Sequence, residues 1–270
     1  MNMSLDGTNV PSLGFGTWPL TGETCVRAVE SALSVGYRHV DTAQMYHNES
    51  EVGQGLQRSG VARQDLFLTT KILSENLAPA DVRRSTEESL RKLRTDYVDL
   101  LLIHWPYDQV PLEKSLEAMF ELQREGKTRH VGVSNFPTAL LGRAIGMGKI
   151  FCNQVEYHPF LSQQPVLDFC RRERIMLTAY SPLAQGKVKE DSTLQAIGQK
   201  YGKLPSQVAL RWLVQQENVA AIPKASTPEH QRNNLEVFDF ELSPEEMNRI
   251  FALNRNERLI NPNPGPAWDQ

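Results

Sequence analysis

The sequence predicts a closed (β/α)8 TIM barrel, read as a single domain over residues 1–270. Three observations carry that prediction. Strand-like and helix-like runs alternate about eight times from Leu13 onward, the count of a closed parallel barrel of roughly this length. The strand-like runs, such as Tyr97-Val-Asp-Leu-Leu-Leu-Ile-His104, are nearly continuous apolar stretches, as parallel strands buried on both faces are. Finally, no GxGxxG follows the first strand, which counts against an open doubly wound sheet. Gly14-Phe-Gly16-Thr-Trp-Pro19 lacks the last glycine, and Gly146-Met-Gly148 ends a helix.

Each element has a local reason. Asp6-Gly7 is a favoured two-residue hairpin turn between short β-prone pieces, and the hairpin is expected to plug the barrel bottom. Leu13–Trp18 leads into a helix from Gly22 to Val35, stopped by Gly36. Tyr37–Asp41 enters the core and precedes a helix over 48–59, with acids in its first turn and Gly60 as its stop. Asp65–Lys71 precedes a helix opened by Pro79. Tyr97–His104 precedes a helix from Pro111 to Glu125, stopped by Gly126. Thr128–Asn135 and Phe151–Tyr157 precede shorter helices over 137–147 and 163–173. Ile175–Tyr180 precedes Ser192–Tyr201 and Ser206–Gln216, split by Pro205. Val219–Lys224 precedes a helix opened by Thr227-Pro228, and the last helix begins at the capping box Ser243-Pro-Glu-Glu246. The tail from Asn254, rich in Asn and Pro, reads as a loop over the active site.

Composition excludes several classes. The net charge is −3 and no basic stripe is present, so nucleic acid is not an expected partner. Cys25, Cys152 and Cys170 are odd in number and lack CxxC spacing, which points to a reducing compartment. With no signal-peptide pattern at the start and no apolar run long enough for a bilayer, a cytoplasmic protein without membrane contact is expected.

In barrels of this kind the chemistry sits at the C-terminal ends of the strands. Here those ends carry Trp18, Asp41, Lys71, His104, Ser134 with Asn135, Gln154, Tyr180 and Lys224, and Tyr46 lies five residues past Asp41. Four of these side chains fit one reaction. A free tyrosine has a pKa of about 10 and is a weak acid at neutral pH. A lysine ammonium beside Tyr46 lowers that value, and a carboxylate beside the lysine keeps it charged. A histidine can share the proton or bond a substrate oxygen. Tyr46, Lys71, Asp41 and His104 thus make a proton donor aimed at an oxygen that gains negative charge, as a carbonyl does on accepting hydride.

These residues also carry a resemblance. Gly36-Tyr-Arg-His-Val-Asp-Thr-Ala-Gln-Met-Tyr-His-Asn-Glu49, Lys71, Leu102-Ile-His-Trp-Pro106, Gly132-Val-Ser-Asn-Phe136, Asn153-Gln-Val-Glu156, Tyr180-Ser-Pro-Leu183 and Ile222-Pro-Lys224, in that order, resemble an aldo-keto reductase over essentially the full chain. Ala179–Gly186 and Val237–Leu242 are most similar to the bacterial 2,5-diketo-D-gluconate and methylglyoxal reductases. The resemblance implies reduction of small carbonyls or keto sugars, with Tyr46 as proton donor and Asp41, Lys71 and His104 as its catalytic partners. It also implies NADPH lying extended across the barrel mouth. Gly16, Thr17 and Asp41 would face that cofactor. Ser134, Asn135 and Gln154 would hold its carboxamide, and Tyr180 would stack on its nicotinamide. Ser181, Leu183, Gln185 and Gly186 would follow the pyrophosphate. Lys224, Ser226, Thr227 and His230 would face the 2′-phosphate, and Asn233 and Asn234 the adenine. Trp18, Tyr46, His104 and Trp105 would line the substrate pocket.

Two departures from the family pattern bear on this. Ala225 stands where many relatives have serine, and His230 where they usually have arginine, so NADH is admitted beside NADPH. The connection Pro106–Pro111 is short, which implies an open, shallow pocket. His47, His130 and His158 lack metal-ligand spacing, so no metal is expected. Glu156 reads as a satisfied core carboxylate, and the cysteines as packing residues. A monomer with a small-molecule carbonyl substrate is expected. Two other functions compete: a lyase using Lys71 as a Schiff-base nucleophile, and a non-catalytic nucleotide-sensing subunit.

Overall fold

The computed structural model describes residues 2–263 and 265–269. Asp6 and Gly7 both take positive φ, 49° and 81°, as a tight hairpin turn demands. They join β1 (Asn2–Leu5) to β2 (Thr8–Pro11), antiparallel, with Leu5 opposite Thr8. Eight strands follow in sequential parallel order: β3 (Phe15–Gly16), β4 (His39–Asp41), β5 (Phe67–Ile72), β6 (Val98–Ile103), β7 (Thr128–Ser134), β8 (Cys152–Glu156), β9 (Met176–Tyr180) and β10 (Val219–Ala221). The sheet closes on itself, because Gly14 N donates to Ala221 O at 2.8 Å, Ala221 N to Ser12 O at 2.8 Å and Gly16 N to Pro223 O at 3.1 Å. The expected (β/α)8 barrel is therefore the observed one.

The helices α1 (Gly22–Ser34), α2 (Glu49–Ser59), α3 (Pro79–Leu93), α4 (Leu112–Arg124), α5 (Thr138–Ile145), α6 (Gln164–Arg172), α7 (Ser192–Tyr201), α8 (Pro205–Val214), α9 (Pro228–Leu235) and α10 (Pro244–Phe251) lie within about two residues of the expected spans. Their ends follow local chemistry. Gly60 and Gly202 terminate α2 and α7 with φ of 67° and 65°, a conformation glycine adopts without penalty. Ser243 and Glu246 complete the capping box of α10.

Leu5 and Val10 of the hairpin pack against Phe67, Leu100, Phe151, Cys152, Met176 and Ala220, which lie at or near strand starts, so the hairpin closes the bottom as expected. Most strands are shorter than expected, β10 ending at Ala221 rather than Lys224 and β4 starting at His39 rather than Tyr37. The first barrel strand shrinks from Leu13–Trp18 to Phe15–Gly16, its flanks being spent on the closing seam. The third runs one residue past Lys71, to Ile72. No described helix is long and apolar enough to cross a membrane.

Candidate active site

Strand β4 ends on Asp41, and the chain then makes a 3-10 turn at Gln44–Tyr46 before α2 begins. Polar bonds fix that turn. Gln44 Oε1 accepts from Leu73 N at 3.0 Å and Asn76 Nδ2 at 3.1 Å, and Gln44 Nε2 donates to Ser89 Oγ at 3.1 Å. Buried Asn48 accepts from Thr42 Oγ1 at 2.7 Å and donates to Leu20 O at 2.9 Å. The Tyr46 ring is thereby held at the barrel mouth.

Lys71 meets it there. Lys71 Nζ donates to Asp41 Oδ1 at 2.5 Å, to Thr42 O at 3.0 Å and to Tyr46 Oη at 3.1 Å, and the lysine side chain is fully buried. Asp41 Oδ2 accepts from Gln154 Nε2 at 2.8 Å. Because Tyr46 Oη accepts from the ammonium, its own proton remains free to point elsewhere. His104 follows the end of β6, its ring edge-on to Tyr46 at 5.6 Å, and its buried Nδ1 has no hydrogen-bond partner among the described residues.

The charge states follow from burial and neighbours. Burial disfavours the ammonium of Lys71, but Asp41 and Tyr46 outweigh it and hold the lysine above its ordinary value, so it is charged. Burial drives His104 well below the usual imidazole range and the Lys71 charge adds to that, so His104 is neutral. For Tyr46 the sequence reading needs correction. Burial raises the phenol, Lys71 pulls it back, Asp41 raises it again, and the net direction is upward rather than downward. The phenol therefore holds its proton at neutral pH, while the adjacent ammonium stands ready to stabilise a phenolate.

Around these groups lies a cavity of about 240 Å³, lined by Gly16, Thr17, Trp18, Asp41, Tyr46, His104, Trp105, Asn135, Gln154, Tyr180, Ser181 and Lys224 among others. Gly16 has no room for a side chain, since a Cβ there would meet Ile222 O at 2.6 Å. A groove of about 640 Å³ continues outward past Leu183, Gln185, Gly186, Lys224, Ser226, His230, Asn233 and Asn234. Trp18, Ser181, Pro182, Lys224 and Ile260 line both spaces. Ser181 and Gln185 on its wall, and buried Ala184 between them, take positive φ, backbone strain of the kind that functional loops carry.

Two of the residues expected at the cofactor, Ser134 and Thr227, line neither the cavity nor the groove. Ser134 is buried, donating to Gln154 O at 2.8 Å and accepting from Asn135 Nδ2 at 3.1 Å. Thr227 Oγ1 caps α9 by accepting from His230 N at 3.3 Å, and Thr227 does not line the groove. Asn135 is itself well occupied, donating to His104 O at 3.0 Å and accepting from Tyr180 Oη at 2.8 Å.

Several lining residues were not anticipated from the sequence: Met45, Ile222 and Ile260 in the cavity, and Lys189, Leu204 and Ser206 in the groove. Lys189 is a second cation beside Lys224, and its place next to the Ser181–Gly186 loop could have flagged it. Ile260 carries no sequence signal, because the tail has no periodicity. Trp268, in the tail, packs edge-on at 6.2 Å against Trp105, which lines the cavity.

Comparison with known proteins matches this arrangement. The Aldo/keto reductase family model covers residues 12–255. Methylglyoxal reductase DkgB of Salmonella typhi is 42% identical over 266 residues, covering 96% of this chain and 99% of that protein. Among solved structures, one provisionally assigned as a 2,5-diketo-D-gluconic acid reductase B superposes with a TM-score of 0.97 at 46% identity, covering 100% of this chain and 98% of that one. A Bombyx mori aldo-keto reductase in complex with NADP superposes with a TM-score of 0.91 at 32% identity, covering 96% and 94%. A family match over most of the chain, on a closed barrel with Asp41, Tyr46, Lys71 and His104 gathered at its mouth, places this protein in the aldo-keto reductase family of oxidoreductases.

Proposed function

We propose that the protein reduces small aldehydes and ketones, methylglyoxal and keto sugars among them, with NADPH as hydride source and Tyr46 as proton donor. The observation that carries this reading is the Lys71 ammonium bonded at once to Asp41 and to Tyr46 Oη on the wall of a cavity. The surroundings fit a nicotinamide dinucleotide. The Asn135–Gln154–Tyr180 cluster lies at the inner end, the strained Ser181–Gly186 loop runs along the middle, and Lys189, Lys224 and His230 stand at the outer groove. When bound, that cofactor supplies hydride to the carbonyl carbon.

The protein's own residues do the rest. The cavity holds the carbonyl oxygen toward Tyr46, with neutral His104 offering an N–H rather than a charge. As negative charge grows on that oxygen, Tyr46 gives up its proton, and Lys71 stabilises the phenolate at 3.1 Å. Asp41 keeps Lys71 charged, and Gln154 holds Asp41 in place. The same charge state argues against a Schiff-base lyase, which needs a neutral lysine. Three free, buried cysteines accord with work in the cytoplasm.

The test is a panel of methylglyoxal, aromatic aldehydes and keto sugars with NADPH and NADH, run on wild type and Tyr46→Phe. Turnover in the variant should fall about 10²–10⁴-fold while NADPH still binds. A variant that keeps a third of wild-type turnover would end the assignment of Tyr46.

A further inference from the structure

Beyond the end of β8 sits a buried polar cluster that the reduction does not use. Glu156, the last residue of β8, and His158 are both fully buried. Glu156 Oε1 accepts from His158 Nε2 at 2.9 Å and from Leu259 N at 2.8 Å, and Oε2 accepts from Ile260 N at 2.9 Å. His158 Nδ1 accepts from Phe160 N at 3.3 Å. That bond leaves the ring proton on Nε2 and makes the imidazole a donor to the carboxylate. The same loop holds the tail a second time, with Phe160 O accepting from Arg255 N at 3.2 Å and Glu257 N at 3.0 Å.

A buried carboxylate needs charge-assisted donors. Two of the three on Glu156 come from a segment without regular structure, 103 and 104 residues further along the chain. Lifting the tail would strip them away, so the tail's position and the carboxylate's burial depend on each other. Ile260, whose N–H makes one of these bonds, lines both the carbonyl cavity and the cofactor groove, whereas Glu156 lines neither.

We infer that Glu156 is a positioning residue for the reduction: by holding Leu259 and Ile260 it sets the Ile260 wall where cavity and groove meet, and so governs how tightly a small carbonyl is retained. The inference rests on the reductase reading above. Glu156 touches neither the carbonyl nor the proton donor, so its loss acts on retention rather than on chemistry.

Glu156→Gln keeps the shape and removes the charge, and its amide turns an N–H donor toward groups that are themselves donors. Hydrogen bonds to a charged group are worth enough that KM for methylglyoxal should rise about tenfold or more, with kcat within about twofold of wild type. Hydrogen exchange at the Leu259 and Ile260 amides should accelerate by a similar factor, while β5 and β6 amides are unchanged. Ile260→Ala leaves the carboxylate intact and should raise KM likewise, and the double variant should add little to either single change. A folded Glu156→Gln with unchanged KM and unchanged exchange overturns the inference, as does a fall in kcat at constant KM. If Glu156→Gln fails to fold, fast exchange of both amides in the wild type, or an unchanged KM in Ile260→Ala, overturns it instead. Should the wild type show no NADPH-dependent turnover, the reductase reading fails separately, and the exchange measurement still decides whether Glu156 holds the tail.

Discussion

Removing Lys71 tests the centre of the site most sharply, because the lysine serves both fold and chemistry. At 2.5 Å from Asp41 Oδ1, with both side chains nearly inaccessible, the ammonium makes a gross attraction of roughly 7 kcal/mol at an effective dielectric constant near 20. Desolvation of both ions offsets most of that gain. Lys71→Met leaves the Asp41 carboxylate with Gln154 Nε2 as its remaining side-chain donor, and breaking a buried pair from one side costs about 3–5 kcal/mol. A strand-end reading of Lys71 would place it clear of the core and predict little loss; the buried side chain reverses that expectation. Adding Asp41→Asn removes the stranded charge, so the double variant should be more stable than Lys71→Met alone. Urea unfolding followed by tryptophan fluorescence, with m-values compared, measures both. Turnover should be lost in either variant, since Tyr46 no longer has an ammonium to stabilise its phenolate. A loss below about 1 kcal/mol in Lys71→Met, with additive behaviour in the double variant, would refute the ion-pair argument. Recovery of turnover in the double variant would refute the role of Lys71 in tuning Tyr46.

Three further outcomes are expected. His230→Arg places a fixed cationic fork in the outer groove near Lys224 and Lys189, and should raise the NADPH-over-NADH affinity ratio about three- to tenfold; an unchanged ratio in fluorescence titration would mean the side chain points away from the phosphate. Gly16→Ala drives a Cβ to 2.6 Å from Ile222 O, a backbone atom that cannot swing aside, and should cost roughly 1–3 kcal/mol in urea unfolding together with activity; full stability would show that the seam yields at this point. His130, stacked on Phe151 at 3.9 Å, is held at about 4 by burial, below its unfolded value of about 6.5. The unfolded chain therefore binds the extra proton, and stability present above about pH 6.5 is lost as pH falls toward 4. In His130→Phe the urea midpoint should fall less between pH 7 and 5 than in wild type, and an identical fall would exclude His130 as a contributor.

Much of this molecule was legible from local chemistry. Gly60 stops its helix and Ser243 with Glu246 starts another, because capping and left-handed turns are decided within a few residues. Asp6-Gly7 sets the hairpin for the same reason. Alternating apolar runs specify a parallel barrel, and the barrel brings Asp41, Tyr46, Lys71 and His104 to one mouth, since successive strand ends all face the same way. The direction of the Tyr46 shift was not legible, because burial is a property of the assembled site and outweighs the one neighbour that the strand ends reveal. Nor was the fate of Ser134 and Thr227, whose hydroxyls are taken up by Gln154 O and by the start of α9. The tail shows the limit most plainly. Ile260 reaches the cavity wall beside a carboxylate more than a hundred residues earlier, which accepts from the backbone N–H groups of Leu259 and Ile260. Backbone N–H groups are the same in every residue except proline, so no side-chain pattern along 255–260 announces that contact; only the packed fold brings donor and acceptor together.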